Sequence, residues 1–593
     1  MPGRAFWQQP AVLLAGVLLT ALACTLPALR NEFCGDDLGL VVNNPQLAAA
    51  SPLPLLSRPF ASGAFAAHRL PVNYYRPLAS LSFWLDRHVW GLRPLPWHLH
   101  NLALNLACVT LVFLILNLIL SSSVAATIGS LLFALHPMHT ESIAWVSGRT
   151  DLLAAFLVLG SFYLLLRSNR LWHTALGVVA FTLALLAKET AMMFALFYLL
   201  WALTRRKSWL APAILLALAA GFFALRAGVL GSGVRLTPDV SAGQFPALML
   251  NTLGLYTKLI FFPIASQPYY PFRPDFLSVN GYGALALCAL VLVAVAARIR
   301  VPDSSFGPRH SSFFPGFGWA LLFLLPVLNL LFLSGPIAAE RFLYLPSFGF
   351  IWLVVAAGQR ITTGRPQLAR TAVVVSLLAA VLMATALLKT IPTWRSDLSL
   401  AEAMVRAAPD FPMAHNSLGV ALRNRGQIDP AGEQFSLALK LKPDYAEAHN
   451  NLGAVMEARG DRDAALAEYR LAVQYDSTYA VACNNLGSAY GAVGRTDSAI
   501  VQFKTALRLD PNNAEAHNNL GVAFYSRGET PLARAQFNRA LGLRPDYVRA
   551  LVNLARLEMA DGNRDAARNL LESARRVAPT DAQVKALLQT IGR

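Results

Sequence analysis

Charge is scarce in this sequence. Asp, Glu, Lys and Arg make up 14% of the 593 residues, while 55% are hydrophobic. A soluble chain of this length carries about 25% charged residues, so a string of soluble domains is excluded and a membrane protein is indicated. Cysteine is scarce too. Cys24, Cys34, Cys108, Cys288 and Cys483 are odd in number, irregularly spaced and without a CxxC pair, which removes a disulfide framework and a zinc ribbon. No HExxH occurs, and no basic stripe is interleaved with aromatics. A metalloprotease helix and nucleic-acid binding are therefore set aside, despite a net charge of +17. No Asn-x-Ser/Thr sequon occurs either, which favours a bacterial inner membrane over the endoplasmic reticulum.

What is present divides in two. Residues 393–593 carry 24 Lys/Arg and 22 Asp/Glu, and residues 1–392 carry 26 and 11. The C-terminal part repeats every 34 residues, with small residues at Gly419, Gly453, Gly487, Gly521 and Ala555. Pro409, Pro443, Pro511, Pro545 and Pro579 keep the same period, with Ser477 at the missing place. Period 34 is that of tetratricopeptide repeats, pairs of antiparallel helices that stack into a solenoid. Five repeats are expected, with a joining half unit at 393–408 and a closing helix after 580.

Residues 1–392 read as a polytopic helical membrane domain, so the expected class is all-α. A span needs about 20 apolar residues. Candidates lie at 10–29, 98–120, 124–138, 151–166, 171–187, 190–203, 209–225, 282–299, 316–334, 342–359 and 371–390. The run at 11–29 resembles a signal peptide, but its long core and the many following spans mark a retained first helix. A further stretch, 245–264, is broken by Lys258 and Pro263. Short basic loops favour the cytoplasm. Those near Arg167, Arg205, Arg298 and Arg365 all fall there, with Arg4, only if 245–264 does not cross. Eleven spans then put the N-terminus in the cytoplasm and the repeats on the outer or lumenal side. Ten of the eleven acids of this part, all but Asp303, fall at or near the outer face.

Ten acids on one face suggest a polar site. In the first outer loop, 30–97, Asp36 and Asp37 follow directly on the first helix. A carboxylate at headgroup depth can take the proton of an attacking hydroxyl. Two together can also hold a divalent cation, Mg²⁺ or Mn²⁺, against a phosphate. The bland reading is that Asp37 caps a helix starting at Leu38. His136, His139, Glu141 and Asp151 form a second group, Lys188 and Glu189 a third, and Glu340 and Arg341 a fourth. The two histidines lack the partners of a zinc site, so no metal ligands are assigned. Arg76, Arg149, Lys188 and Arg341 can bind a phosphate, though charges at span ends are often merely solvated. Tyr74, Trp84, Trp90 and Trp97 place the first loop along the interface. In the repeats Ser417, Asn451, Asn485, Asn519 and Asn553 form a ladder. Asn can pair with the main chain of an extended peptide, and equally it is common at this place for structural reasons.

Taken together, Asp36-Asp37 with Asn44-Pro45, Tyr75-Arg-Pro-Leu78, His136-Pro-Met-His-Thr-Glu141, Gly148-Arg-Thr-Asp-Leu-Leu153, Ala187-Lys-Glu-Thr190 and Glu340-Arg-Phe-Leu-Tyr-Leu-Pro-Ser347 resemble the transmembrane and tetratricopeptide-repeat-containing O-mannosyltransferases. The resemblance runs over nearly the whole chain. It implies a C-type glycosyltransferase membrane fold, a polyprenyl- or dolichyl-phosphate-mannose donor and Ser/Thr acceptors on protein. It also implies that Asp36 or Asp37 is the catalytic acid-base, with Arg76, Arg149, Lys188 and Arg341 at the donor. Set against this are a non-catalytic scaffold, which would leave the Asp pair unexplained, and a transporter, which charge-poor spans disfavour.

Overall fold

The computed structural model describes residues 9–60, 74–167, 170–205, 208–230, 245–263, 313–326 and 338–591, together with Gln267, Pro268, Tyr270 and Gly283. Every regular element among them is helical. The chain divides into two compact units, one ending at Ala408 and the other beginning at Pro409. The boundary lies beyond 392 because the helix Asp397–Ala407 and the turn before it are tied to the first unit. The Glu32 N–H donates to the Arg395 carbonyl at 2.9 Å, and the Cys34 thiol to that of Trp394 at 3.4 Å.

The first unit is a multi-pass membrane bundle. Among the described residues six stretches are long and apolar enough to span: Pro10–Arg30, Pro94–Leu120, Val146–Leu166, Leu210–Leu230, Glu340–Thr362 and Pro366–Trp394. Four shorter apolar helices accompany them at Ser123–Leu135, Leu171–Ala187, Glu189–Thr204 and Pro315–Leu324. The expected span at 282–299 lies outside the described residues, as do residues 327–334 of the one at 316–334. Proline at the first turn opens several of these helices, where its missing N–H costs nothing. The helix Pro94–Leu120 has 27 residues. At 1.5 Å per residue it is about 40 Å long, roughly 10 Å more than a bilayer core. Its first turns carry the buried Trp97, His98 and Asn101.

Packing follows the same logic. Phe162 contacts the rings of Phe194, Phe197, Trp201, Trp319 and Trp352 at 5.3–6.2 Å, an aromatic knot at the centre of the bundle. The helix Pro366–Thr390 instead leaves Val374, Leu377, Leu378, Val381 and Leu382 exposed, as a lipid-facing helix must. The stretch expected not to cross holds a 17-residue helix, Phe245–Phe261, whose Leu255, Tyr256 and Leu259 pack with Met138 and Leu343. Between the first two long spans, helix Pro77–Trp90 buries Phe83 against Trp97, Val41 and Leu55.

The second unit has five helix pairs whose first helices start at Pro412, Ala446, Ala480, Ala514 and Val548, followed by a closing helix, Ala582–Ile591. The need for glycine is steric. A Cβ on Gly487 would lie 2.7 Å from the Phe503 ring of the partner helix, and one on Gly521 would lie 2.6 Å from Phe537.

Candidate active site

Asp36 and Asp37 sit on the turn after the first span, and the fold treats them differently. Gly35 adopts φ +58°, the left-handed region open to glycine. Asp37 is fully buried. One carboxylate oxygen accepts from the Ser147 backbone N–H at 2.8 Å and the Ser147 hydroxyl at 2.5 Å, and the other from the Cys34 N–H at 3.3 Å. Burial pushes this carboxyl up to about 7, against the pull of the Ser147 bonds. Asp37 precedes the short helix Leu38–Val42 but makes no side-chain cap to it, so the capping explanation falls away. Asp36 is exposed. Protein nevertheless crowds it on most sides, and burial raises its carboxyl while nearby Arg341 pulls the other way.

The other polar groups form ion pairs around this turn. Arg76 meets Glu189 through two bonds of 2.6 and 3.0 Å, the bidentate form suited to guanidinium. Lys188 holds Asp151 at 2.5 Å. Arg341 holds Glu141 with its guanidinium, and its backbone N–H donates to the same carboxylate at 2.9 Å. Phe342 joins two pairs: Arg341 lies 5.0 Å and Lys188 5.2 Å from its ring centroid. Arg341 also stands 5.0 Å over Trp145, and Arg76 stands 4.2 Å over Tyr74. A cavity of about 10 Å³, room for roughly one water, is lined by Asp151, Lys188, Thr190, Phe342 and Tyr344. In surroundings this dry, each charge needs its partner.

Arg149 stands apart from this group. It is 0% exposed, and all three guanidinium nitrogens are engaged: with Asp86 at 2.6 Å, Asn101 at 2.9 Å and the Trp97 carbonyl at 3.0 Å. A group so enclosed has no free edge for a phosphate, so here the structure corrects the expectation. The histidines are buried as well. His136 Nε2 pairs with the Ile260 carbonyl at 3.1 Å and His139 Nε2 with the Ser347 hydroxyl at 2.9 Å. Glu340 accepts from the Tyr270 hydroxyl at 2.5 Å and the Gln267 N–H at 2.7 Å. Among the described residues no group of three or more His, Cys, Asp or Glu gathers as metal ligands. Asn101 and Tyr270 carry no local sign in the sequence. Ser147 stands there only as the start of the string that runs to Asp151, and Asp86 only as one of the ten outer-face acids.

In the repeats the ladder is a chain of clamps. Asn451, Asn485, Asn519 and Asn553 each donate their amide to the Asn 35 residues earlier, namely Asn416, Asn450, Asn484 and Asn518, at 2.9–3.1 Å.

Tetratricopeptide-repeat models match residues 419–460, 484–548 and 524–591. The human protein O-mannosyl-transferase TMTC1 is 25% identical over 487 residues, covering 73% of this chain and 55% of that protein. The Caenorhabditis elegans protein O-mannosyl-transferase F38B6.6 is 27% identical over 441 residues, covering 70% and 61%. The chain spans about half the length of the first curated relatives it matches, 55% and 49%. Among solved structures, a thermophilic tetratricopeptide-repeat protein of Thermus thermophilus is 27% identical, covering 30% of this chain and 98% of its own, with a TM-score of 0.28. The homologues of this chain are protein O-mannosyl-transferases, and its C-terminal part is built of tetratricopeptide repeats.

Proposed function

We propose that the chain is a membrane glycosyltransferase that moves a sugar, mannose by its homologues, from a polyprenyl-phosphate carrier to Ser or Thr of a protein. The observation that carries this is the split of the Asp pair: Asp37 is buried and locked to Ser147, while its neighbour Asp36 is exposed and feels the charge of Arg341. In this reading Asp36 takes the proton of the acceptor hydroxyl as its oxygen bonds to the anomeric carbon of the sugar. The bond from that carbon to the phosphate oxygen breaks, and the phosphate leaves with the electron pair. Arg341, partly exposed and already oriented by Glu141 and Trp145, receives the negative charge. Lys188 and Arg76 lie behind it, each already paired with a carboxylate, Asp151 and Glu189, so a divalent cation, Mg²⁺ or Mn²⁺, would add counter-charge for the phosphate. Arg149 braces the first loop rather than touching the donor.

The fold is read as a C-type glycosyltransferase membrane domain. Charge in the short loops sets the N-terminus in the cytoplasm and the repeats on the outer or lumenal side, with a bacterial inner membrane favoured by the missing sequon. The repeats serve as the acceptor-binding surface. Each ladder Asn spends its amide on its neighbour, which leaves the side-chain oxygens of Asn485 and Asn553 to accept from the main chain of an extended segment.

The test is Asp36→Asn in the purified full-length chain, supplied with a polyprenyl-phosphate mannose and a Ser/Thr-rich peptide. The variant is expected to insert and fold normally and to lose transfer by at least about 100-fold, the scale of a missing general base. Undiminished transfer, read by mass spectrometry of the peptide, would falsify the assignment and favour a scaffold.

A further inference from the structure

We propose that Asp397 is a positioning residue for Asp36, acting through the backbone N–H of Gly35. This rests on the reading of Asp36 as the base. Gly35 directly precedes Asp36, and its N–H donates to Asp397 Oδ1 at 2.7 Å. A bond to a carboxylate is about twice as strong as one between neutral groups. It fixes the side of the turn before Asp36, while the bonds of Asp37 to Ser147 fix the side after it. The side chain of Asp36 is thereby aimed from between two anchored points. The turn is also tight. Gly35 is left-handed, and a Cβ there would stand 3.3 Å from Leu400 Cδ2.

The segment that provides Asp397 is itself rigid. Ser396 and Ser399 form a reciprocal capping box at the start of the helix Asp397–Ala407. The N-terminus of that helix therefore has its own cap, and Asp397 is not needed for one. Just upstream, Trp394 stacks on Trp145 at 5.6 Å. Trp145 in turn donates its indole N–H to the Cys34 carbonyl at 2.9 Å and lies under Arg341. One short stretch, 394–400, thus backs both the turn of the base and the shelf of the cation beside it. From sequence Asp397 is only an acid in the first turn of a helix, a common place for one.

Transfer by full-length Asp397→Ala, Asp397→Asn and Gly35→Ala is compared with wild type and Asp36→Asn, using a polyprenyl-phosphate mannose and a Ser/Thr-rich peptide. Misplacing a catalytic group by about 1 Å costs up to roughly 100-fold. Asp397→Ala is therefore expected to lower kcat by roughly ten- to 100-fold, with KM for the lipid donor changed by less than about twofold. Asp397→Asn keeps an oxygen for the Gly35 N–H and is expected to restore kcat to within about threefold of wild type. Gly35→Ala leaves Asp397 intact but strains the turn, and should reproduce the kcat loss. If Asp36→Asn is inactive while Asp397→Ala turns over at the wild-type kcat, the positioning role is wrong and the base assignment stands. An equal loss in Asp397→Asn overturns it too, because the charge rather than the bond would then matter. If Asp36→Asn transfers normally, the base assignment itself fails.

Discussion

The two units use polar side chains in opposite ways. In the repeats, pairs recur at a fixed interval and face water. Arg459 meets Asp429 at 2.7 Å, and two repeats later Arg527 meets Asp497 at 2.9 Å, with the aspartates 80% and 88% exposed. Among the described residues of the membrane unit, the Arg and Lys pairs are mostly buried and join distant parts of the chain. Arg341 and Glu141 are 200 residues apart, and Arg149 and Asp86 are 0% and 2% exposed. An exposed pair trades water for a partner at little gain. A buried pair cannot lose one member without stranding the other. The same residue types therefore decorate one unit and hold the other together.

Arg149→Ala tests this contrast where the effect is largest. It leaves Asp86 buried without the guanidinium that faces it, with His100 at 3.1 Å beside it. Destabilisation by about 3–5 kcal/mol is expected for such a break, read as a lower midpoint of thermal unfolding in detergent. Molecules that remain folded should keep the donor KM of the wild type. A raised KM at unchanged stability would return Arg149 to the donor site.

Asp37 sharpens the contrast through pH. Its carboxyl is held near 7, because burial outweighs the Ser147 bonds, whereas an unfolded chain titrates it near about 4. The folded form thus binds the proton more tightly. The stability this contributes is fully present below about pH 4 and is lost as pH rises towards 7. A shift of this size is worth at most about 4 kcal/mol. The membrane unit should melt progressively lower between about pH 4 and 7, and Asp37→Asn should remove much of that slope. An identical slope in the variant would mean that Asp37 is not the group responsible.

The same contrast governs what could be read from sequence. The repeat helices were legible because period 34 states the constraint five times; Gly487 and Gly521 recur where an aromatic ring must pass. The spans were legible because apolar length is a local property. The charged residues around the turn could be read as short clusters, such as Lys188-Glu189 and Glu340-Arg341. Which of them pair with which could not, since nothing near Glu141 announces Arg341 and nothing near Gly35 announces Asp397. Arg149 was misplaced for the same reason: a basic residue at a span end looks alike whether it faces a ligand or an internal carboxylate. The Asn ladder shows the limit from the other side. Its period was plain, but that each amide reaches back 35 residues rather than 34, to a different Asn, is a matter of helix geometry.

The smallest expected effect lies in the repeats and is the more telling for being small. Arg527 bonds Asp497 at 2.9 Å and Glu529 at 2.5 Å, an arrangement that on paper resembles those of the membrane unit. It differs in exposure: the Arg527 side chain is 43% accessible, and its partners are 88% and 30% accessible. Water screens both bonds and would take over either carboxylate once the arginine is gone, so no charge is stranded. Arg527→Ala should therefore cost less than about 1 kcal/mol, and 1 M salt, which shortens the screening length to about 3 Å, should shrink even that difference. Chemical denaturation of the full chain, followed by a probe in the repeats, measures both. A loss as large as that expected for Arg149→Ala would mean that exposure is not what separates the two units. Geometry alone would then set the strength of an ion pair here, and the division between decorating and structural charges would fail.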